Sequence, residues 1–131
     1  HSVVDVARRF PRASFLIAHS GGSWNFAAHV AQACQASPNI YAEITLTPVP
    51  NGIVEWLCER VGADRVLFGT DVPMRDGRPQ LGWVVNSRLS AAEKRRVLGE
   101  NFAAILARIR WPRASDLPPV FRVGARKPAR R

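Results

Sequence analysis

The chain of 131 residues has few of the features that mark disulfide-rich, metal-finger or membrane-spanning proteins. Its two cysteines, Cys34 and Cys58, stand far apart, so the sequence indicates neither a disulfide framework nor a paired zinc motif. No apolar run approaches the roughly 18 residues that would span a bilayer. We therefore expect a cytoplasmic protein with two reduced thiols and no membrane partner.

Acidic residues are scarce, since ten Asp and Glu stand against 19 Lys and Arg, and the formal net charge is +9. More than half of this excess follows residue 112, where six basic residues face only Asp116. With Pro118, Pro119 and Pro128, this composition predicts a disordered, basic Pro/Arg-rich tail over residues 111–131. Such tails usually act as solubilising extensions, so a nucleic-acid partner is not expected; salt-sensitive anion binding through the tail is the alternative.

Three short apolar runs, at residues 14–18, 39–44 and 65–68, predict β-strands. The first and third are almost continuously apolar, as burial on both faces of a parallel sheet requires. Parallel strands need helical crossovers, and helical patterns precede the first strand and follow each of the three. These patterns lie at residues 3–9, 24–36, 52–61 and 90–109, the last beginning with the capping-box sequence Ser90 to Glu93 and stopping before Pro112.

Three parallel strands alone leave two open sheet edges. A closed eight-stranded α/β barrel needs about 250 residues, and this chain begins at His1 without a preceding strand. We therefore expect residues 1–110 to form part of such a barrel whose other strands lie outside the chain. A small independent three-layer α/β domain is the alternative.

In parallel α/β architectures the active site lies at the carboxyl ends of the strands. Here His19-Ser20-Gly21-Gly22 follows the first strand and Gly69-Thr70-Asp71 follows the third. A histidine at this place can bind a metal or transfer a proton, and the glycines permit a tight turn close to a ligand. A carboxylate after an apolar strand needs a cation or several donors. Structural roles remain open, because backbone groups could satisfy His19 and Asp71 could cap a turn.

Four further residues are weaker candidates. Arg75 could bind an acidic substrate or be a surface charge, and Trp24 could line a pocket floor or pack against the start of its helix. Glu43, at the end of the second strand, could face the site or form a salt bridge at its rim. His29 lies inside a helical pattern and is expected to pack or to face solvent.

The segments 15–22 and 62–73, together with Arg9-Phe10-Pro11 and the run from Leu89 to Phe102, resemble the amidohydrolase-related family of TIM-barrel enzymes over residues 3–109. The resemblance implies that the three strands are strands six to eight of a (β/α)8 barrel. It implies that Asp71 binds a divalent metal, usually zinc, and helps to position or deprotonate the attacking water. It implies that His19 is catalytic or metal-proximal, and hence a second candidate ligand.

The implied activity is that of a metal-dependent hydrolase of small organic-acid, ester, lactone or amide substrates. A decarboxylase of aromatic or unsaturated acids on the same fold, or a non-catalytic α/β module, are the alternatives. The family's His-x-His pair and fifth-strand histidine are not in this sequence, so we expect a missing N-terminal barrel half or a partner chain to supply them, with a homo-oligomer left open. Two ligands cannot form the usual site, and we expect the isolated chain neither to hold zinc tightly nor to turn over substrate.

Overall fold

The computed structural model describes residues 2–45 and 49–110, which fold as a mixed α/β structure. Its sheet has three strands in the order β1-β2-β3, with bounds Phe15–Ile17, Ile40–Glu43 and Val66–Leu67. Both pairings are parallel, as predicted, and each strand is shorter than the apolar run that predicted it. The predicted tail at 111–131 lies outside the described residues.

Six α-helices accompany the sheet in the described residues. The first two have the predicted bounds and the third begins one residue later than predicted. A short 3-10 turn, Ala63–Arg65, leads into β3, and a π-helical segment, Arg96–Glu100, joins α5 to α6. The helices are α1 Val3–Arg9, α2 Trp24–Ala36, α3 Ile53–Val61, α4 Arg78–Val85, α5 Ala91–Arg95 and α6 Asn101–Leu106.

Two differences from the sequence prediction concern the segment after β3. Helix α4 was not predicted, because its sequence contains Pro79 and Gly82 and its N-cap, Gly77, offers no side-chain hydrogen bond. The helix predicted over residues 90–109 is wrong as a single α-helix, since the π-helical segment interrupts it. That segment directly precedes Asn101, whose buried amide donates to the carbonyls of Ala63 at 2.7 Å and Val66 at 2.9 Å.

Helix starts follow the local rules that the sequence suggested. The Ser23 hydroxyl caps α2 by accepting from Phe26 N at 3.2 Å. At α5 the Ser90 and Glu93 side chains form the predicted capping box. Hydrogen bonds from the Ser90 hydroxyl and backbone lower the pKa of Glu93, because they stabilise its charged form.

The two faces of the sheet are covered to different extents. Alternate strand residues Ile40, Ala42 and Val66 join the main core with α1 to α4, and we call this side the helix-covered face. On the other side, the residues that the structure describes bury a single cluster of Tyr41, Leu67 and Ile105 of α6, and Leu16 there is 41% exposed. We call this side the open face.

Polar side chains bind backbone carbonyls at the amino-terminal end of the sheet. The Asn39 amide contacts the carbonyls of Ala7, Phe10 and Ala13 at 2.8 to 3.1 Å. The Arg65 guanidinium donates to the carbonyls of Ser37 and Cys34 at the end of α2. These contacts supply partners to carbonyls that helix ends and turns leave without one.

Both cysteines are free and buried in the main core, which confirms the prediction of two reduced thiols. Burial raises the pKa of Cys34, and it raises the pKa of Cys58 to about 12 with a smaller contribution from nearby carboxylates of Glu93, Glu55 and Glu59. Neither thiol is therefore a nucleophile at neutral pH.

None of the helices in the described ranges is long and apolar enough to cross a bilayer.

Candidate active site at the carboxyl end of the sheet

The carboxyl ends of the three strands are held together by backbone hydrogen bonds that continue the sheet. Ser20 N donates to the carbonyl of Glu43 at 2.8 Å, and Ile44 N donates to the carbonyl of Leu67 at 3.0 Å. The turn containing His19, the segment after β2 and the turn leading to Asp71 therefore lie side by side. We call this row of turns the carboxyl edge.

His19 is held at the carboxyl edge by the segment after β2. Its Nδ1 lies 2.5 Å from the carbonyl oxygen of Thr45. Because a carbonyl only accepts, Nδ1 must carry the hydrogen, and a neutral ring then has its free lone pair on Nε2. Histidines that bind metals through one ring nitrogen commonly donate from the other nitrogen in this way.

The turn at His19 is built differently from the prediction. The left-handed residue is His19 itself, with φ of 60°, and neither of the two following glycines has a positive φ. Gly22 N closes the turn on the His19 carbonyl at 3.0 Å, and the buried Ser20 hydroxyl bonds the carbonyl of Ile17. The His19 side chain is therefore exposed, while Ser20 and Gly21, which follow it in the turn, are buried.

Asp71 has the same unusual backbone conformation, with φ of 60°. Within the described residues, His19 and Asp71 are the non-glycine residues with positive φ. Such conformations store strain and concentrate at functional sites. Both residues that the sequence singled out thus occupy corresponding, strained positions after their strands.

The Asp71 carboxylate faces a cation from its own loop. Arg75 Nε lies 3.4 Å from Asp71 Oδ2, and Arg75 N bonds the Asp71 carbonyl at 3.1 Å. Both side chains remain partly exposed, so this pair is weak and can open when another cation competes for the carboxylate. The role of Arg75 towards a substrate stays a prediction.

The other aromatic and histidine candidates lie on helices. Trp24 begins α2, is 47% exposed, and meets the ring of Trp56 on α3 edge-on at 5.8 Å. Arg60 covers the Trp56 ring at 5.3 Å. Trp24 therefore packs between helices, and its contact with substrate stays a prediction. His29 is exposed, as expected, and bonds the Asn25 carbonyl of its own helix.

Two contacts at the carboxyl edge were not anticipated. Glu43 Oε1 accepts from Thr45 N at 2.9 Å and from the Thr45 hydroxyl, which joins them into one unit. A methyl group at Gly69 would overlap both Glu43 Oε1 and Thr45 Oγ1. The sequence suggested that Glu43 could face the site or form a salt bridge at its rim, and it did not suggest the bonds to Thr45. The signal in the sequence that could have revealed this contact was the spacing Glu43-x-Thr45 at the end of one strand, together with Gly69 shortly after the next strand.

His19 and Asp71 suit a divalent metal in part. The imidazole offers Nε2 and Asp71 offers carboxylate oxygens, which are ordinary zinc ligands. Among residues 2–45 and 49–110, however, no group of three or more His, Cys, Asp or Glu could hold a metal. The described residues therefore offer His19 and Asp71 as two candidate ligands, and metal binding by them stays a prediction.

The comparison with protein families shows where the chain belongs. The amidohydrolase family model matches residues 1–108, which is most of the chain, so the chain belongs to the amidohydrolase family. This family is hydrolase-like and generally uses divalent metals. No curated protein matches the chain.

Proposed function

We propose that this chain supplies the sixth, seventh and eighth strands, and two of the metal-site residues, of a metal-dependent hydrolase barrel. Residues 1–110 are the barrel part and residues 111–131 a basic tail. The substrate is a small organic acid, ester, lactone or amide. Zinc is the expected metal, and the remaining ligands come from strands outside this chain or from a partner chain.

One observation carries this proposal: the hydrogen bond between His19 Nδ1 and the Thr45 carbonyl. It leaves the Nε2 lone pair of His19 available at the edge where Asp71 also lies. His29 makes the same kind of bond within its own helix, so the His19 bond supports the proposal through its place at the carboxyl edge. The left-handed backbone at both His19 and Asp71 supports the same interpretation, since such conformations concentrate at functional sites.

The chain's own residues have distinct parts in this proposal. Asp71 is a metal ligand that also accepts a proton from the attacking water, and its weak pairing with Arg75 leaves it able to exchange partners. His19 binds the metal or donates a proton to the leaving group through Nε2. A bound divalent metal would supply Lewis acidity that makes water a nucleophile near neutral pH. Arg75 and Trp24 are proposed to contact the substrate.

The open face supports an incomplete barrel. Leu16 of β1 is 41% exposed although it lies in the middle of a strand. In a closed barrel the residues on this side of each strand fill the interior in layers with those of the other strands. A partner that completes the barrel would bury Leu16 and bring the missing ligands to the carboxyl edge.

The test compares site and control variants in the polypeptide that includes the remaining barrel strands. With zinc present, ester and lactone substrates are assayed by proton release and amide substrates by the amine that they release. We expect His19→Ala and Asp71→Asn each to lower kcat/KM by about 100-fold or more, a typical loss when a proton-transfer group is removed. His29→Ala and Asp64→Asn, exposed residues of the same types, are the matched controls and should keep activity within about twofold.

The alternatives give different outcomes in the same assay. A decarboxylase would release carbon dioxide from aromatic or unsaturated acids, and this activity would depend on His19 and Asp71. A non-catalytic module would show no metal-dependent turnover in either variant or wild type. The 131-residue chain alone is expected to be inactive, and one tightly bound zinc per chain would contradict the proposed division of ligands.

A further inference from the structure

Glu43 lies between the two proposed site residues, and the function proposed above gives it no contact with the metal or the substrate. It is the last residue of β2, the central strand, and its carboxylate contacts Thr45 of its own segment and the backbone of Gly69 after β3. We propose that Glu43 is a positioning residue that fixes His19 and Asp71 together. The inference rests on the function proposed above for those two residues.

The first connection runs from Glu43 to His19. Glu43 Oε1 accepts hydrogen bonds from both the backbone N–H and the hydroxyl of Thr45. These two bonds fix the backbone N–H and the side chain of Thr45, whose own carbonyl accepts from His19 Nδ1 at 2.5 Å. Because charge-assisted hydrogen bonds are roughly twice as strong as neutral ones, the carboxylate restrains Thr45 and with it the orientation of that carbonyl. The orientation then selects the Nδ1–H form of His19.

The second connection runs from Glu43 to the turn that carries Asp71. Gly69 lies two residues before Asp71, and a methyl group there would overlap Glu43 Oε1 and Thr45 Oγ1. The carboxylate and hydroxyl therefore rest directly against the Gly69 backbone. This contact determines where the segment Gly69-Thr70-Asp71 can run, and with it the position of the Asp71 carboxylate.

A single side chain therefore sets the separation of the two site residues. Glu43 supplies no proton and no metal ligand in this arrangement. Its loss should leave His19 and Asp71 present but misplaced, and small misplacements are costly, since reacting groups must meet within narrow distances.

The direct test is the tautomer of His19, read by 15N NMR of histidine-labelled 131-residue chain at a pH that keeps the rings neutral. In the wild type we expect the Nδ1–H form. In Glu43→Ala the ratio of the Nδ1–H to the Nε2–H form should fall about tenfold, the effect of losing one well-placed hydrogen bond. His29, which also bonds a backbone carbonyl through Nδ1, is an internal control and should not change.

Four further variants separate positioning from loss of fold. Glu43→Gln keeps an acceptor oxygen at the same place and should retain the wild-type ratio within about twofold. Gly69→Ala should displace the carboxylate and lower the ratio, whereas Gly99→Ala should not, because its added methyl meets no atom within 4 Å. Glu59→Ala, on the exposed side of α3, controls for loss of a carboxylate.

The outcomes are decisive in each case. If Glu43→Ala does not fold, Gly69→Ala decides the question, with Gly99→Ala as its control. An unchanged His19 ratio in both Glu43→Ala and Gly69→Ala overturns the inference. In the complete barrel, Glu43→Ala should lower kcat much more than it raises KM. Should His19→Ala retain activity while the tautomer still depends on Glu43, the proposed function fails and the positioning role of Glu43 stands.

Discussion

The helix-covered face and the open face of the sheet differ in how completely they exclude solvent. On the helix-covered face, Ile40, Leu57 and Val66 are fully buried within a cluster that draws on four α-helices. The open face buries a cluster of three residues and leaves Leu16 41% exposed. From this difference we infer that the free energy of unfolding of the chain comes mainly from the helix-covered face, while the open face keeps apolar surface available for further contacts.

The largest effect is expected at the centre of the helix-covered face. Leu57→Ala should lower the free energy of unfolding by about 3 kcal/mol, because it removes a fully buried side chain and leaves a cavity among rigid neighbours. Urea unfolding of the two proteins measures this value. A loss below about 1 kcal/mol would mean that neighbouring side chains move to fill the cavity. The helix-covered face would then not dominate the free energy of unfolding.

A smaller effect is expected from the corresponding change on the open face. Ile105→Ala removes a side chain that packs against Tyr41 and Leu67 but has few other buried neighbours. We expect a loss of about 2 kcal/mol, at the lower end for such truncations. The same urea titration tests it, and a loss equal to that of Leu57→Ala would remove the proposed difference between the faces.

The pH dependence of stability tests how completely the helix-covered face excludes water from the Cys58 thiol. The pKa of Cys58 is raised to about 12 in the folded protein by burial, whereas an unfolded thiol ionises near 8.5. Stability from this group is thus complete below about pH 8.5 and is lost as pH rises towards the folded pKa. Between pH 8 and 10 the wild type should lose about 1.9 kcal/mol more than Cys58→Ala. Parallel curves for the two proteins would indicate solvent at Cys58.

The smallest effect is expected at Leu16. In the 131-residue chain, Leu16→Thr should change stability by less than about 0.5 kcal/mol, because the residue is already partly solvated and Thr suits a strand. In the complete barrel the same change should cost more than 1 kcal/mol, since the residue would be covered. A large loss in the short chain would show that the open face is already closed.

Much of the fold could be predicted because its elements carry local signals. The apolar runs gave the strands, and Ser23 and Ser90 marked where helices begin. Helix α4 carries no such signal, since it is stabilised by burial of Val84 in the main core and not by its propensities or caps. The π-helical segment before Asn101 depends on two distant carbonyls, which no local pattern reveals.

The sequence identified candidate residues for the site but could not predict their geometry. His19 and Asp71 could be found because they follow apolar strands directly. Their left-handed backbone and the bond from His19 to Thr45 depend on how neighbouring strands align. The role of Glu43 depends on a side-chain contact with Gly69 across two strands, and sequence spacing along one strand cannot show it.

The carbonyl-binding side chains at the amino-terminal end of the sheet have a consequence for how such a protein can change over generations. Asn39 and Arg65 tie helices to strands at the end opposite His19 and Asp71. Loops at the carboxyl edge can then be lengthened, shortened or exchanged without disturbing these ties, since each end of the strands is secured separately. One architecture can in this way acquire new substrates while its inherited framework stays the same.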